Sequence, residues 1–253
     1  MALEIKNLEL ALRQAQGENK DIIHDLSLTI KPGEAQVLMG PNGSGKSSLA
    51  QALIGSKKLE VRSKGVFLDG KNISQLKTDE RARAGLFLAW QYPREIEGVE
   101  VATFLKAAVE SQRKNKMGET YKPLTMSEFL EIVEELMVKL QMDKKILQRD
   151  LNYGFSGGEK KKLEILQMLL LEPKYAILDE IDSGLDIDAL KTICAAINSF
   201  RSRDRGLLLI THYNRLLKLV QPDVVHIMIN GKIVKSSGKE LADMIEKSGY
   251  GNL

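Results

Sequence analysis

The order of apolar and polar positions along the chain predicts strands near its start. Apolar and polar residues alternate over residues 3–10 and again over residues 22–30, a period of two that is typical of strands half buried in a sheet. A polar stretch over residues 14–20 separates the two, so we predict an antiparallel pair joined by a turn. A Lys-Pro-Gly segment at residues 31–33 then turns the chain again.

Short apolar runs bounded by turn residues predict further strands, at residues 35–39, 65–69, 86–89, 175–178, 207–210 and 224–229. The run over 35–39 is followed closely by an apolar helical pattern over residues 47–54, and helical patterns also lie between the later runs. Strands that alternate with helices are typical of βα units around a mostly parallel sheet. We therefore predict an α/β fold, with antiparallel strands at the N-terminal side.

The middle of the chain has a different period. Apolar residues recur at spacings of three and four over residues 101–112, 127–140 and 144–149, which predicts helices. A polar stretch over residues 114–123 separates the first of these helices from the second. The sequence therefore predicts a helical insertion within the α/β fold.

Composition excludes some classes of function. The chain has 253 residues, of which 43% are hydrophobic and 28% charged, and its net charge of +3 is too small to indicate a nucleic-acid partner. No stretch approaches the ~18 uninterrupted apolar residues that a membrane span requires. We expect a cytoplasmic protein that does not insert into a membrane.

The sequence holds one cysteine, Cys194, and three histidines, His24, His212 and His226. These scattered residues cannot supply the four thiolates that usually hold an iron–sulfur cluster, so any such cluster would be carried by another chain. Cys194 lies in an apolar helical pattern, and we expect it to be a small buried apolar side chain.

The segment between the 35–39 strand and the following helix reads Gly-Pro-Asn-Gly-Ser-Gly-Lys-Ser. A glycine-rich turn at a helix N-terminus aims several backbone N–H groups at one point, and Lys46 adds a positive charge beside the β- and γ-phosphates. We therefore predict a nucleoside triphosphate site with Mg²⁺. Its candidate residues are Gly40, Pro41, Asn42, Gly43, Ser44, Gly45, Lys46, Ser47 and Ser48.

Two adjacent carboxylates follow the apolar run at 175–178. The C-terminal ends of strands in open α/β sheets are where ligands bind. We predict that Asp179 holds Mg²⁺ together with the Ser47 hydroxyl, and that Glu180 polarises the water that attacks the γ-phosphate.

A third motif, Phe-Ser-Gly-Gly-Glu at residues 155–159, opens an amphipathic helix with the Ser-x-x-Glu spacing of a capping box. Placed about twenty residues before the acidic strand end, it resembles the signature motif of ATP-binding-cassette (ABC) ATPases, usually Leu-Ser-Gly-Gly-Gln. The resemblance implies that Ser156, Gly157 and Gly158 face ATP bound to a second subunit. Hydrolysis would then require a transient dimer around ATP.

Other motifs of that family follow in order along nearly the whole chain. Gln91 resembles the glutamine that senses Mg²⁺ and the γ-phosphate, Asp186 ends a segment that resembles the D-loop, and His212 resembles the switch histidine. The resemblance implies catalytic roles for Glu180, His212, Gln91 and Lys46, and a metal site of Ser47, Gln91 and Asp179. It also implies one ABC ATPase domain over 1–253, with residues 1–91 and 159–253 as the nucleotide-binding lobe and 92–158 as the helical subdomain.

Two departures from the usual ABC pattern concern the base and the signature. No Phe, Tyr or Trp precedes Phe67, so no upstream aromatic residue is present to stack on adenine, and base contacts would be aliphatic or polar. ATP is therefore implied by the family. The signature carries Phe155 and Glu159 in place of Leu and Gln.

The two signature changes and the residues around them resemble the SufC family, the soluble ABC ATPases of the Suf iron–sulfur cluster assembly system. The resemblance covers the chain, in the segments 154–161, 164–168, 91–99, 182–190, 211–213 and 249–251. It implies scaffold partners related to SufB and SufD, docked at residues 91–100. Motif chemistry leaves two alternatives open, the ATPase subunit of an ABC membrane transporter and a nucleotide-gated clamp.

Three consecutive lysines, residues 160–162, follow the signature. A solvated helix face is the usual interpretation of such a run. The SufC resemblance offers a second one, in which Lys161 pairs with Glu180 in the unengaged subunit and restrains it.

Overall fold

A computed structural model describes residues 1–13, 20–62 and 65–251. Apart from Lys20, the predicted turn over residues 14–20 lies outside the described residues. The strands are β1 (Leu3–Leu12), β2 (Lys20–Ile30), β3 (Ala35–Met39), β4 (Leu59–Val61), β5 (Gly65–Leu68), β6 (Lys71–Asn72), β7 (Leu86–Ala89), β8 (Ile96–Glu100), β9 (Asp150–Leu151), β10 (Tyr175–Asp179), β11 (Gly206–Ile210), β12 (Val224–Ile229) and β13 (Lys232–Ser237). The α-helices are α1 (Lys46–Leu53), α2 (Thr78–Ala84), α3 (Val101–Met117), α4 (Met126–Lys139), α5 (Gly157–Leu171), α6 (Ile187–Phe200), α7 (Asn214–Val220) and α8 (Glu240–Ser248). Short 3-10 helices cover Gly118–Thr120 and Lys144–Gln148.

The N-terminal strands form an antiparallel sheet in the order β2-β1-β5-β6, with β4 also paired to β1. The predicted pairing of the first two strands is confirmed, with Leu3 opposite Ile30. The alternation seen in the sequence corresponds to alternating burial along β2, where every second residue from Leu26 to Ile30 is buried. This is the pattern of a sheet with one face on a core.

The central sheet has the order β13-β12-β3-β11-β10-β7. The strands from β12 to β7 are parallel, and β13 pairs antiparallel to β12 at one edge. Every residue of β3, β10 and β11 is buried, which explains why these strands read as continuous apolar runs and not as alternating ones. The predicted α/β fold with a mostly parallel sheet is confirmed.

The chain forms two compact units. The first contains residues 1–91, 173–181 and 201–253, and therefore both of these sheets; the second contains residues 92–172 and 182–200. The functional division that we predict, with a boundary at residue 158, stays a prediction.

The second unit is mainly helical, with α5 packed against α3, α4 and α6. Each of these helices has buried apolar residues on at least one face. Helix α4 begins at a capping box formed by Thr125 and Glu128. A small antiparallel pair, β8 with β9, completes the unit. No helix in the described part of the chain is long and apolar enough to cross a membrane.

Some sequence predictions of local structure need correction. The polar stretch predicted to begin at residue 114 is helical up to Met117, because α3 continues through it. The predicted helix over 144–149 is a 3-10 helix, Lys144–Gln148. Several short elements were not predicted, namely β4, β6, α2, β8, β9, β13 and α8, although α8 carries buried apolar residues at helical spacing.

Candidate functional site

The glycine-rich loop connects β3 to α1 in the first unit. Gly45 caps α1 with a left-handed backbone, φ 106°, which glycine adopts without a steric penalty. A side chain at Gly40 has no room, since a Cβ there would lie 2.1 Å from the Met228 carbonyl oxygen. The loop is also held from outside, because the Gly231 N–H donates to the Ser44 carbonyl at 2.9 Å.

Lys46 is folded back over this loop. Its ammonium donates to the carbonyl oxygens of Gly40 at 2.9 Å and Pro41 at 3.0 Å, and lies 3.4 Å from Ser44 Oγ. Burial lowers the Lys46 pKa from its ordinary value, and the negative charges of Glu180 and Asp179 oppose that shift. The loop therefore holds a buried ammonium whose present partners are neutral carbonyls, an arrangement that suits an incoming phosphate.

The C-terminal end of α1 is anchored by a buried arginine that the sequence analysis did not identify. Arg81 donates to the carbonyl oxygens of Ala52 at 2.8 Å and Leu53 at 2.7 Å, and also to those of Ser74 and Leu76. The last carbonyls of a helix have no partner within the helix, so a guanidinium is a suitable cap. Arg81 thus helps to fix the helix that follows the phosphate loop.

Asp179 ends β10 and lies beside the phosphate loop. The Ser47 hydroxyl donates to Asp179 Oδ1 at 3.3 Å, and Asp179 is buried. A hydroxyl and a carboxylate oxygen are hard ligands, and Mg²⁺ is usually held by one or two such groups together with water and phosphate oxygens. The pair fits Mg²⁺ in that way. No group of three or more His, Cys, Asp and Glu suited to a metal occurs among the described residues.

Glu180 is the point at which three predicted residues meet. Its Oε2 accepts a hydrogen bond from Gln91 Nε2 at 2.5 Å, and its Oε1 lies 3.1 Å from His212 Nε2. Its backbone is left-handed, φ 49°, and its N–H donates to the Ile210 carbonyl at 2.9 Å. The carboxylate is therefore oriented on both oxygens, and its backbone position is fixed by β11.

The surroundings of His212 lower the pKa of its imidazole. Burial lowers its pKa most, the positive charge of Lys46 lowers it further, and Glu180 partly opposes both. The net direction favours the neutral ring, which can donate one hydrogen bond to Glu180 and keeps one nitrogen as an acceptor.

Tyr250 reaches the phosphate loop from the C-terminal side. A hydrogen bond with the Gly40 backbone lowers its pKa, but burial has the larger effect, and the net direction is upward. The segment before it is fixed through α8, since the side-chain amide of Asn214 donates to Asp243 and Glu246 of that helix. In the sequence, the segment 249–251 carries only a family resemblance, and no pattern there indicates that Tyr250 contacts this loop.

The signature residues lie in the second unit, at the start of α5. The predicted capping box is confirmed: the Ser156 N–H donates to Glu159 Oε2 at 2.7 Å, and the Glu159 N–H donates to Ser156 Oγ at 3.2 Å. A Cβ added at Gly157 would contact nothing within 4 Å, and one at Gly158 would reach only Leu185 at 3.9 Å. The face of the helix start is therefore open.

Asp186 stands in the same unit at the start of α6. Its Oδ1 accepts the Ala189 N–H at 2.7 Å, so its carboxylate serves as a helix cap here. The structure thus gathers the predicted residues in two groups. The first unit holds Gly40 to Ser48, Gln91, Asp179, Glu180 and His212, and the second holds Ser156, Gly157, Gly158 and Asp186.

The lysine run is not uniformly solvated, so that interpretation is wrong for its central member. Lys161 is only 5% exposed, whereas Lys160 pairs with Glu95 at 2.6 Å and Lys162 donates to the Gln141 carbonyl at 3.1 Å. The reason is that α5 packs against three other helices, so little of its surface faces solvent. The pairing of Lys161 with Glu180 stays a prediction. Cys194 is buried as expected, and burial raises its thiol pKa to about 12.

Comparison with known proteins gives consistent results. A family model described as ABC transporter matches residues 23–183. Vegetative protein 296 of Bacillus subtilis is 50% identical over 248 residues, 98% of this chain and 91% of that protein. A probable ABC transporter ATP-binding protein of Streptococcus pyogenes is 47% identical, covering 99% and 94% of the two chains. The probable ATP-dependent transporter ycf16 of Cyanophora paradoxa is 46% identical, covering 98% and 93%.

Solved structures share the fold. The ATP-binding subunit of an ABC transporter superposes with a TM-score of 0.77 at 24% identity, covering 98% of this chain and 94% of that one. A dimeric bacterial ABC transporter cassette gives a TM-score of 0.78 at 16% identity, covering 94% and 98%. At these identities the likeness concerns the fold.

Proposed function

This chain belongs to the ABC transporter family and is an ABC ATPase, and we propose that it is the ATP-hydrolysing subunit of a cytoplasmic iron–sulfur cluster assembly complex. The observation that carries the hydrolytic part is the convergence of Gln91 and His212 on the two oxygens of Glu180. A carboxylate oriented in this way beside a phosphate loop is suited to polarise a water molecule.

In the proposed reaction, Lys46 leaves its carbonyl partners for the β- and γ-phosphates, and the N–H groups at the start of α1 cradle the phosphate chain. Ser47, Asp179 and Gln91 would hold Mg²⁺, which supplies neutralising charge to the phosphate oxygens. Glu180 accepts a proton from the attacking water. His212, kept neutral by burial and by Lys46, donates a hydrogen bond to Glu180 and orients it.

The dimer is proposed from the signature residues. The open face at Gly157 and Gly158 lies at the N-terminus of α5, where backbone N–H groups and the helix dipole attract an anion, while the cap occupies the N–H groups of Ser156 and Glu159. Within one subunit these groups lie in the second unit, and the family arrangement would aim them at ATP on a second subunit. A related cassette has been described as dimeric, which supports this proposal.

The assembly role rests on the signature and on the edge beside it. The segment 154–161 resembles the SufC family, and the chain has one buried cysteine, so cluster ligands would come from SufB- and SufD-like scaffold partners. Tyr92 is 80% exposed and Ile96 of β8 is 43% exposed. Exposed apolar side chains at the predicted docking segment 91–100 are suited to a partner helix.

A second candidate is the ATPase subunit of an ABC membrane transporter. The names of the Streptococcus pyogenes and Cyanophora paradoxa relatives support it. It would use the same catalytic residues and the same docking segment, so the two candidates differ in the partner alone.

The discriminating experiment is tagged purification of the full chain from its native cell, with and without detergent, followed by identification of stoichiometric partners. A Tyr92→Glu variant tests the docking segment, and Val138→Glu on α4 is the matched control because Val138 is 70% exposed and lies outside the segment. We expect soluble cysteine-bearing partners that are lost with Tyr92→Glu and kept with Val138→Glu. A stoichiometric polytopic membrane partner would instead establish the transporter candidate.

A further inference from the structure

Arg149 occupies a fixed backbone position in the second unit. It ends the 3-10 helix Lys144–Gln148 in an extended conformation and immediately precedes β9. Its carbonyl accepts the N–H of Val101, the first residue of α3, at 3.0 Å. The side chain therefore extends from a backbone that is fixed on both sides.

From this position the guanidinium reaches a segment that we define as the signature turn, residues 153–159. Arg149 Nη2 donates to the carbonyl oxygens of Gly154 at 2.9 Å and Tyr153 at 3.3 Å. Gly154 is in a left-handed conformation, φ 64°, so the chain bends sharply where the guanidinium binds it. The planar fork of arginine suits two neighbouring carbonyls in a way that an ammonium does not.

The same guanidinium also contacts two side chains of the signature turn. It lies 4.3 Å from the centre of the Phe155 ring, which is buried, and its Nη1 is 3.5 Å from Glu159 Oε1. Arginine over an aromatic face is an attractive arrangement. The Arg149 side chain therefore contacts three kinds of group in the signature turn, namely two backbone carbonyls, the Phe155 ring and the Glu159 carboxylate.

Glu159 is shared between Arg149 and the helix cap. Its Oε1 faces Arg149, while its Oε2 accepts the Ser156 N–H at 2.7 Å. A glutamine at this position would keep the capping contact but would lose the charge that Arg149 faces. A leucine at position 155 would offer no ring face. The two departures of this signature, Phe155 and Glu159, thus have a common partner.

We infer that Arg149 is a positioning residue for the signature turn, which it holds in the conformation that the dimer requires. The inference rests on the proposed function, in which Ser156, Gly157 and Gly158 contact ATP on a second subunit. Arg149 itself contacts no nucleotide; it fixes the turn before binding, so that less conformational freedom is lost on dimerisation. Its loss therefore weakens the dimer and leaves ATP binding by a lone subunit unchanged.

The test measures the dimer and the single subunit separately, in a Glu180→Gln parent that is expected to retain ATP. Dimerisation is followed by sedimentation velocity with saturating Mg-ATP, and monomer affinity by titration with a fluorescent ATP analogue at dilutions that keep the chain monomeric. Arg149→Met keeps an apolar side chain against Phe155 and removes the charge and the donors. We expect the dimer dissociation constant to rise about tenfold and the monomer affinity to change less than about twofold.

Arg83→Met is the matched control, because the side chains of Arg83 and Arg149 are 38% and 39% exposed and each pairs with one carboxylate. It should change neither quantity. Arg149→Lys keeps the charge without the fork, so we expect an intermediate dimer constant. A double variant with Glu159→Gln should dimerise no more weakly than Arg149→Met alone, because the glutamine keeps the cap on Ser156 and the charge of Glu159 has already lost its partner Arg149.

Hydrogen exchange of the ATP-free chain supplies a readout that does not depend on the dimer. Arg149→Met should speed exchange in residues 153–159 and leave α4 unchanged, which also verifies that the variant is folded. A variant that dimerises like its parent would overturn the inference and leave the proposed dimer standing. A parent that stays monomeric with ATP would overturn the proposed dimer, and the inference would fall with it.

Discussion

His212 Nε2 and Glu180 Oε1 lie 3.1 Å apart, although 32 positions of sequence separate the two residues. The contact follows from the sheet, because β10 and β11 are parallel neighbours and Asp179 is opposite Ile210. Glu180 is the first residue after one strand, and His212 is the second after the other. Strand register thus brings an acid and a weak base together at one edge of the sheet.

Glu180→Gln should abolish hydrolysis while keeping ATP bound. The amide can still contact Gln91 and His212, but it cannot accept a proton from water. We expect kcat to fall at least about a hundredfold, the range of a lost general base, with little change in ATP affinity. Phosphate release under single-turnover conditions measures the effect, and Glu131→Gln on the exposed side of α4 is the control. An unchanged rate would remove Glu180 from the role of base.

Lys46→Ala should remove tight triphosphate binding. The ammonium is buried against neutral carbonyls. Residues 40–48 contain no other Lys or Arg that could take its place. Loss of charge-assisted contacts to two phosphates should raise the dissociation constant of ATP about a hundredfold or more. Equilibrium dialysis with labelled ATP measures it, with exposed Lys57→Ala as the control. A dissociation constant within threefold of the wild type would contradict the role.

Arg81→Met should destabilise the chain without touching the nucleotide residues. Four backbone carbonyls, at Ala52, Leu53, Ser74 and Leu76, would lose their guanidinium donor in a buried place. Ala52 keeps the Gly55 N–H as a donor at 3.0 Å, but the other three carbonyls lose the guanidinium. Unsatisfied buried acceptors cost about 1–3 kcal/mol, so the free energy of unfolding should fall by that order. Urea unfolding measures it. Arg83→Met changes a partly exposed side chain on the same helix and should stay within about 0.5 kcal/mol of the wild type.

His226 should make stability depend on pH. It is buried, its Nδ1 lies 2.7 Å from Ser236 Oγ and its Nε2 lies 3.1 Å from Gln36 Oε1. Burial lowers its pKa, and the charge of Glu34 opposes this only in part. The unfolded chain binds the proton more readily than the folded chain. The contribution of His226 to the free energy of unfolding is therefore fully present above the ordinary pKa of about 6.5, and it is lost as the pH drops below that value.

Urea unfolding between pH 7.5 and 5.5 tests this expectation. His226→Asn should show a shallower loss of stability over that range than the wild type, whereas His24→Asn, at an exposed position, should keep the wild-type slope. The slope that remains in His226→Asn belongs to other groups, including His212, whose pKa is also lowered. Equal slopes in all three proteins would show that His226 does not contribute.

Tyr250→Phe should weaken ATP binding modestly. The variant keeps the ring but removes the hydroxyl that bonds the Gly40 backbone. Without this bond the Gly40 backbone is less well ordered before ATP binds, so we expect ATP affinity to fall by at most about fivefold, the equivalent of one neutral hydrogen bond of about 1 kcal/mol. Calorimetric titration measures it. Tyr213→Phe, at an exposed tyrosine, should leave the affinity unchanged.

Much of the central sheet could be predicted because its strands are buried on both faces. The bounds of β3 agree with the apolar run at 35–39, and β10 and β11 differ from theirs by one residue. Elements without an apolar period escaped prediction. Helix α2 has two alanines as its only apolar residues, and its one buried residue is Arg81, whose role depends on carbonyls 28 and 29 positions away in sequence.

In the candidate site, too, local sequence patterns predicted residues but not the contacts between distant ones. The phosphate loop and the Asp179–Glu180 pair are local in sequence, so their residue types and spacing were informative. The contacts of Glu180 with Gln91 and His212 depend on the order β7-β10-β11 in the sheet, which no local pattern encodes. Arg149 gave no signal, because a lone arginine is common on any surface, and Tyr250 was marked only by the family resemblance of its segment, which did not indicate a contact with the phosphate loop.

The burial of Cys194 makes the molecule convenient for site-directed labelling. A thiol whose pKa is raised to about 12 and which lies on the buried side of α6 reacts slowly with maleimides near neutral pH. A cysteine introduced at an exposed position would therefore take up a fluorophore or spin probe selectively, with no need to replace the native residue. Paired probes on two copies would then report subunit association directly in solution.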